Sequence, residues 1–315
     1  MRSVSEANVS GKRVLVRVDF NSLPLKSHEI RIEKTIPTIK YLLSKKAKII
    51  LLTHLEANDG EIPSTKILLP YLKKRLPIKE IILFENLRKF PGEKKNDMSF
   101  ARKLAAMGDI YVNEAFPASH REHASIVLLP KLLPAYAGFL FEEEIKNLSK
   151  VFKPPRPFTL ILGGGKIETK LPILKHFIPK VDHVLMGGVL LNLFVAGKYP
   201  VHSKKIILPK ELIVSGGRVL DVGPKSFDEW DRVIKASKLV VWNGPLGYLE
   251  KGYIGGTKKL VSILSKTKSS VIIGGGDTID YLPRKLPKNI FVSTGGGAML
   301  EYLVGKTLPG IKALV

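Results

Sequence analysis

No cysteine occurs among the 315 residues, which excludes disulfides, thiolate zinc sites and cysteine nucleophiles together. A reducing compartment such as the cytoplasm suits such a chain. Long apolar runs are missing too. The longest, at residues 184–196, falls short of the roughly 20 residues that span a bilayer. The opening MRSVSEANVSGKRVLVRVDF has no apolar block behind a basic head, so neither a membrane segment nor a secretory leader is expected. Acidic residues are scarce, 28 Asp and Glu against 51 Lys and Arg, for a formal charge of +23. A field of that sign attracts phosphates, nucleic acid and anionic membranes alike. The lysines are spread through both halves and not interleaved with aromatics in one arm, which argues against a dedicated nucleic-acid module. Neither the G-x-x-x-x-G-K-[ST] of P-loop proteins nor a G-x-G-x-x-G after the first strand occurs, which weakens ordinary P-loop ATPase and dehydrogenase readings. Tandem repeats, low-complexity tails and heptads are absent as well.

What the chain does have is an alternation. RVLVRVD (13–19) is a short β-rich run, residues 33–46 carry helical spacing, and AKIILLTHL (47–55) is β-rich again. That is the pattern of βαβ units. EIILFENL, the amphipathic stretch 99–107 and DIYVNEAF continue it, predicting a parallel sheet in a first domain over 1–150. FEEEIKNLSKVF reads as a charged helix with acids in its first turn. KPPRP, with prolines at 154, 155 and 157, cannot continue that helix and places a domain boundary there. In the second domain, 151–315, the runs FTLILGGGK, DHVLMGG, LVVWNGP, SSVIIGGGD and NIFVSTGGG each end in a glycine-rich turn. The expected fold is therefore α/β, two doubly wound parallel-sheet (Rossmann-like) domains joined by a hinge helix. With 44% hydrophobic residues, the chain can supply a core for each. Ligands in such sheets sit at the carboxyl ends of the strands, so several glycine turns on one edge would form an anion-binding rim.

In GGGDT (274–278) the glycines let backbone approach a phosphate, and Asp277 offers a hard oxygen ligand for the magnesium of a bound nucleotide. Taken alone, the motif equally fits a tight strand-to-helix turn capped by Asp277. STGGG (293–297) has the same two readings. GGGK (163–166) is followed by Lys170, a spacing that puts both ammonium groups on one face of a helix start, where they could stabilise a migrating phosphoryl group. Two solvated surface lysines are the plain alternative in so basic a chain. In the first domain Asp19, Phe20 and Asn21 end one strand, His54 ends the next, Arg88 follows the third, and His120, Arg121 and His123 follow the fourth. Together these could bind a small phosphorylated acid, because arginine forks match carboxylate and phosphate oxygens. A single histidine is more often a structural hydrogen-bonding residue. Two facing rims, one for a small anion and one for a nucleotide, suggest transfer between two bound substrates on hinge closure.

The blocks RVLVRVDFN, RIEKTIPTI, LFENLR, NEAFPASHREHAS, LGGGK-x-x-x-K, VVWNGPLGYLE, IGGGDT and STGGGAMLEYLVGKTLPG, in this order, resemble the signature blocks of the phosphoglycerate kinase family and span nearly the whole chain. The resemblance implies direct in-line phosphoryl transfer from 1,3-bisphosphoglycerate to ADP, giving 3-phosphoglycerate and ATP. It implies that Asp19, Phe20, Asn21, Arg31, His54, Arg88 and Arg121 hold phosphoglycerate, with Arg31 on the transferring group. On the nucleotide side it implies Lys166 and Lys170 at the phosphates and transition state, Asn243 beside them, and Glu250 on the ribose hydroxyls. Gly275, Gly276, Asp277 and Thr278, with Gly295 and Gly296, would bind phosphate and, through Asp277, Mg2+. A cytoplasmic monomer is expected, with no membrane or dedicated nucleic-acid partner and with its last residues packing on the N-terminal domain.

Departures from the family pattern are specific. Where His-Leu-Gly-Arg is usual, the chain has His54, Leu55, Glu56 and Ala57, so one substrate-side arginine is absent and a carboxylate stands nearby, which predicts weaker phosphoglycerate binding. Thr169 stands at a usually acidic position and Val189 where a third glycine is usual. The stretches 54–85 and 197–221 are short for the family. A catalytically weakened, nucleotide-binding paralogue with a regulatory role, or a nucleic-acid binder on a kinase scaffold, stands as the alternative.

Overall fold

The apolar runs become two parallel sheets. In the first, β1 (Arg13–Arg17), β2 (Lys48–Leu52), β3 (Ile81–Leu83), β4 (Ile110–Asn113) and β5 (Ala135–Ala137) lie in the order β3-β2-β1-β4-β5, all neighbours parallel. Four of the five β1 residues are buried; a strand covered on both faces reads as a continuous apolar run without alternation. The later chain forms β6 (Phe158–Leu162), β7 (His183–Met186), β8 (Ile206–Ile207), an antiparallel hairpin of β9 (Leu212–Ser215) and β10 (Arg218–Val222), then β11 (Leu239–Asn243), β12 (Ser270–Gly274) and β13 (Ile290–Val292). Six of these pair in the order β13-β12-β11-β6-β7-β8, again parallel throughout. Strand order reverses between β1 and β4 in one sheet and between β6 and β11 in the other, the switch points where doubly wound sheets open a ligand crevice.

A computed structural model of the protein describes residues 1–21, 29–57, 60–198, 203–283 and 285–315. The described chain divides into two compact units, Met1–Lys146 with Gly305–Val315, and Asn147–Val304. In the first unit the helix Glu29–Ser44 buries Ile32, Thr35, Ile39 and Leu42, a stripe at three- and four-residue spacing that seats it on the sheet. The helix Phe139–Leu148 starts on a buried carboxylate: Glu114 accepts from the Leu140 and Phe141 backbone N–H groups at 3.3 and 3.0 Å and from the Thr38 hydroxyl. Those backbone donors have no partner inside the helix, so a side-chain acceptor there satisfies them. The short terminal helix Pro309–Lys312 rejoins this unit through the Gly310 N–H, which donates to Ser119 O at 2.9 Å.

The second unit is centred on Phe158, Phe177, Phe227, Trp230 and Trp242, all fully buried. Phe227 and Trp230 meet edge to face with centroids 5.5 Å apart, an arrangement favoured by the ring quadrupoles. The β9–β10 hairpin turns on Gly216 and Gly217, at φ +55° and +69°, the positive values that a two-residue hairpin turn demands. The apolar stretch 184–196 splits into β7 and the helix Gly188–Val195. Among the described residues no helix is long and apolar enough to cross a membrane.

Candidate active site

The first unit gathers four guanidinium groups near the carboxyl edge of its sheet. Arg17, the last residue of β1, is fully buried. A guanidinium there must spend its donors on protein, and it does: Nε donates to Ser125 Oγ at 2.9 Å, Nη1 to Val18 O and Nη2 to His54 Nδ1 at 3.1 Å. Ser125 is fixed in turn by Glu93, its hydroxyl donating to Oε1 at 2.6 Å and its backbone N–H to Oε2 at 3.0 Å. Just beyond β1, buried Asp19 accepts from Arg31 Nη1 at 2.9 Å and from the Asn21 N–H at 3.0 Å, and Arg31 also donates to Asn21 O. Phe20 is buried, its N–H donating to Thr53 Oγ1. Arg88 lies in the turn Leu87–Lys89 after β3 and Arg121 in the loop after β4.

Glu56 ties this cluster together. Arg88 grips it bidentately, Nη2 to Oε1 at 2.8 Å and Nε to Oε2 at 3.3 Å, while Arg121 Nη1 donates to the same Oε1 at 2.9 Å. Burial acts to raise the Glu56 pKa, but the hydrogen bonds from Arg88 and Arg121 prevail and hold it at about 2. Burial also raises Asp19, and the charges of Arg31 and Arg17 help to more than offset it, so this carboxyl too is lowered. His54 goes the other way: burial brings its pKa to about 3, and the imidazole is neutral at physiological pH. Since Arg17 can only donate, His54 Nδ1 is the acceptor and the ring proton sits on Nε2, 3.8 Å from Glu56 Oε1. His123 is neutral for the same reason, brought by burial and by Arg88 to about 4, and its Nδ1 faces Arg88 Nη1 at 3.3 Å.

In the second unit the turns after β6, β7 and β11 lock into each other by backbone. Gly164 N–H donates to Pro245 O at 2.7 Å, Gly188 N–H to Leu246 O at 2.8 Å and Val189 N–H to Gly164 O at 3.0 Å. A Cβ on Gly163 would lie 2.0 Å from Pro245 O, and one on Gly188, at φ +59°, would lie 2.5 Å from Gly164 N. These glycines are required by backbone packed against backbone. Gly165, Gly276, Gly296 and Gly297 differ, because a Cβ on any of them would meet nothing within 4 Å. They line open space in the turns after β6, β12 and β13.

Lys170 ends the first turn of the helix Ile167–Phe177 and is buried, its ammonium donating to Asn243 Oδ1 at the end of β11. Burial lowers its pKa to about 8; Asp277 acts against that fall and Lys166 with it. Lys166, the N-cap of the same helix, is exposed, so the four-residue spacing gives one buried and one solvated ammonium. Gly275, at φ +106°, caps the short helix Gly276–Ile279, which leaves Asp277 exposed and Thr278 buried. Thr278 Oγ1 has no hydrogen-bond partner among the described residues. Gly295 is buried, its N–H donating to Ser293 Oγ, and Gly296 sits at φ +51°. Glu250 stands exposed in the turn Leu249–Lys251.

Each unit thus brings its candidate residues to one edge. Asp19, Asn21, Arg31, His54, Glu56, Arg88, Arg121 and His123 share one network; Lys170 and Asn243 touch, with Asp277 and Lys166 close enough to act on the lysine's charge. His120 is partly buried in the loop that carries Arg121. Sequence reasoning missed Arg17, Glu93 and Ser125. The available signal was the arginine itself, a lone cation closing the otherwise apolar run VLVR.

Known proteins resemble the chain over nearly its whole length. The sequence model of the phosphoglycerate kinase family matches residues 4–78, 70–211 and 195–306. Phosphoglycerate kinases of Leptospira biflexa and Orientia tsutsugamushi are each 35% identical to the chain, over 99% and 100% of it and 98% and 97% of their own lengths. Those alignments run to 387 and 395 positions against 315 residues here, so the relatives carry segments that this chain lacks. The overlaps of the family matches, 70–78 and 195–211, fall on the two stretches that are short in the sequence. The solved phosphoglycerate kinase of Coxiella burnetii superposes with a TM-score of 0.80 at 28% identity, covering 99% of this chain and 98% of that one. That of Pyrococcus horikoshii OT3 shares the fold with a TM-score of 0.86 at 24% identity, over 100% and 98%. Matched over most of its length by the family and aligned over nearly all of it with named relatives, the chain belongs to the phosphoglycerate kinase family.

Proposed function

We propose that the protein transfers a phosphoryl group reversibly from 1,3-bisphosphoglycerate to ADP, yielding 3-phosphoglycerate and ATP, by direct in-line displacement. The observation that carries this is the difference between the two switch points. One sheet edge presents clustered guanidinium groups suited to a small acid, and the other presents open glycine turns and the buried ammonium of Lys170, suited to a nucleotide tail. Residues 1–150 then form the phosphoglycerate-binding domain and residues 151–315 the nucleotide-binding domain, with the last residues packing back on the first. Closure of the two brings the substrates together and excludes water.

In this scheme Asp19, Asn21, His54, Arg88 and Arg121 hold the phosphoglycerate, with Phe20 keeping the strand end in place, and Arg31 faces the transferring group. Lys170, held at the switch point by Asn243, meets the charge that develops as the phosphoryl group moves, and exposed Lys166 screens the outer phosphates. Gly275, Gly276, Thr278, Gly295 and Gly296 line the phosphate path, and Glu250 takes the ribose hydroxyls. Magnesium supplies charge neutralisation of the nucleotide phosphates. Asp277 fits it from the protein side, because Mg2+ is commonly held by one or two carboxylates together with substrate phosphates and water. Among the described residues no cluster of three His, Asp or Glu forms a metal cage, and the open space at Gly276 suits a ligand that brings its own oxygens. The protein acts as a cytoplasmic monomer, so sedimentation should give the mass of one chain.

Direct transfer has a specific test. Labelled ADP should exchange into ATP only when phosphoglycerate is present; exchange without it would reveal a phosphoryl-enzyme and overturn the in-line scheme.

A further inference from the structure

Glu56 occupies the ground that an anionic ligand of the first unit would need. Its carboxylate sits in the Arg88 fork, shares Oε1 with Arg121 and lies 3.8 Å from the N–H of His54. This is how guanidinium groups recognise a free carboxylate or phosphate. The partners differ in access: the Arg88 side chain is 2% exposed, whereas that of Glu56 is 42% exposed. A buried cation needs a counter-anion, and Glu56 supplies one from the solvent side. Its backbone is held, since the Glu56 N–H donates to Asn21 Oδ1 at 2.8 Å, so the carboxylate can leave by turning its side chain alone.

We propose that Glu56 is a tethered competitor, an internal anion that fills the place of the substrate's charged group on Arg88 and Arg121 and turns out to solvent when the phosphorylated acid binds. The proposal rests on the phosphoglycerate reading of this unit. The competition weakens every anion that uses Arg88 and Arg121 by the same factor, since the internal carboxylate must be released first.

The test uses three proteins: wild type, Glu56→Gln, which keeps the shape without the charge, and Glu56→Asp, which keeps the charge but is one methylene too short to serve both arginines. Steady-state rates with saturating MgATP should show the KM for 3-phosphoglycerate falling roughly 3- to 30-fold in Glu56→Gln, with a smaller fall in Glu56→Asp. Calorimetric titration with inorganic phosphate should show the same order of tightening. A KM and a phosphate affinity that stay level in both variants, or that weaken, would overturn the proposal and make Glu56 a residue that positions its arginines. The phosphate titration needs no turnover, so it decides the role of Glu56 even if wild type fails to use 3-phosphoglycerate, an outcome that would count against the function and not against the competitor.

Discussion

Raising the pH should impair the free enzyme well before it impairs the enzyme carrying nucleotide. Lys170 is 7% exposed, and burial has brought its pKa from 10.5 down to about 8. A bound phosphoryl charge opposes that fall. One unit charge about 4 Å from the ammonium, at an effective dielectric of about 20, is worth about 4 kcal/mol, or about three pKa units. In the complex Lys170 therefore keeps its proton past about pH 10. Since kcat/KM reports the free enzyme and kcat the complex, kcat/KM for nucleotide should fall about tenfold per pH unit above about pH 8 while kcat stays level. Unfolding does not produce this pattern through Lys170. With its folded pKa below its unfolded value, the folded state binds fewer protons between about 8 and 10.5, so this group's contribution to stability rises with pH in that window. Initial rates at fixed ionic strength across the window would decide. A kcat/KM that is flat to about pH 9.5, or a kcat that falls in step with it, would refute a buried, charge-dependent role for Lys170.

Arg31→Ala should lower kcat by one to three orders of magnitude, because a cation on a transferring group acts where charge develops; a change confined to the KM for phosphoglycerate would move Arg31 to ground-state binding. Gly188→Ala places a methyl 2.5 Å from Gly164 N at a left-handed φ, and unfolding in urea should register a loss of about 2 kcal/mol or more, with weakened nucleotide binding. Glu114→Ala strips an acceptor from three donors, the Leu140 and Phe141 N–H groups and the Thr38 hydroxyl. It should cost about 2–4 kcal/mol in the same measurement, and a loss under about 0.5 kcal/mol would mean that water replaces the cap.

The strands were legible because parallel strands covered on both faces cannot hide their composition, and VLVR, IILL and VVW stand out from amphipathic neighbours. The β9–β10 hairpin went unread although Gly216-Gly217 marks its turn and the apolar runs LIVS and RVLDV flank it; β9 is mostly exposed, so its apolar residues do not report a core. At the site, motif positions were visible but their environments were not. Helical spacing put Lys166 and Lys170 on one face, and only packing against β11 separates a solvated cation from a buried one. Gly163 and Gly188 look like phosphate-binding glycines in the sequence, and the structure spends them on contact between neighbouring turns. Glu56 was visible as a carboxylate in place of a glycine, yet its grip on Arg88 and Arg121 spans 32 and 65 residues of chain. Separations of that size leave no local pattern to read.

The most direct test of the central claim is a steady-state assay of the purified protein with ATP, magnesium and 3-phosphoglycerate, coupled to reduction of the bisphosphoglycerate formed, with Lys170→Ala alongside. Turnover is expected in the wild type, with a collapse of kcat in the variant that far exceeds any change in the KM for 3-phosphoglycerate. Wild-type protein that binds both ligands without turnover, or a variant whose kcat matches wild type, would contradict it.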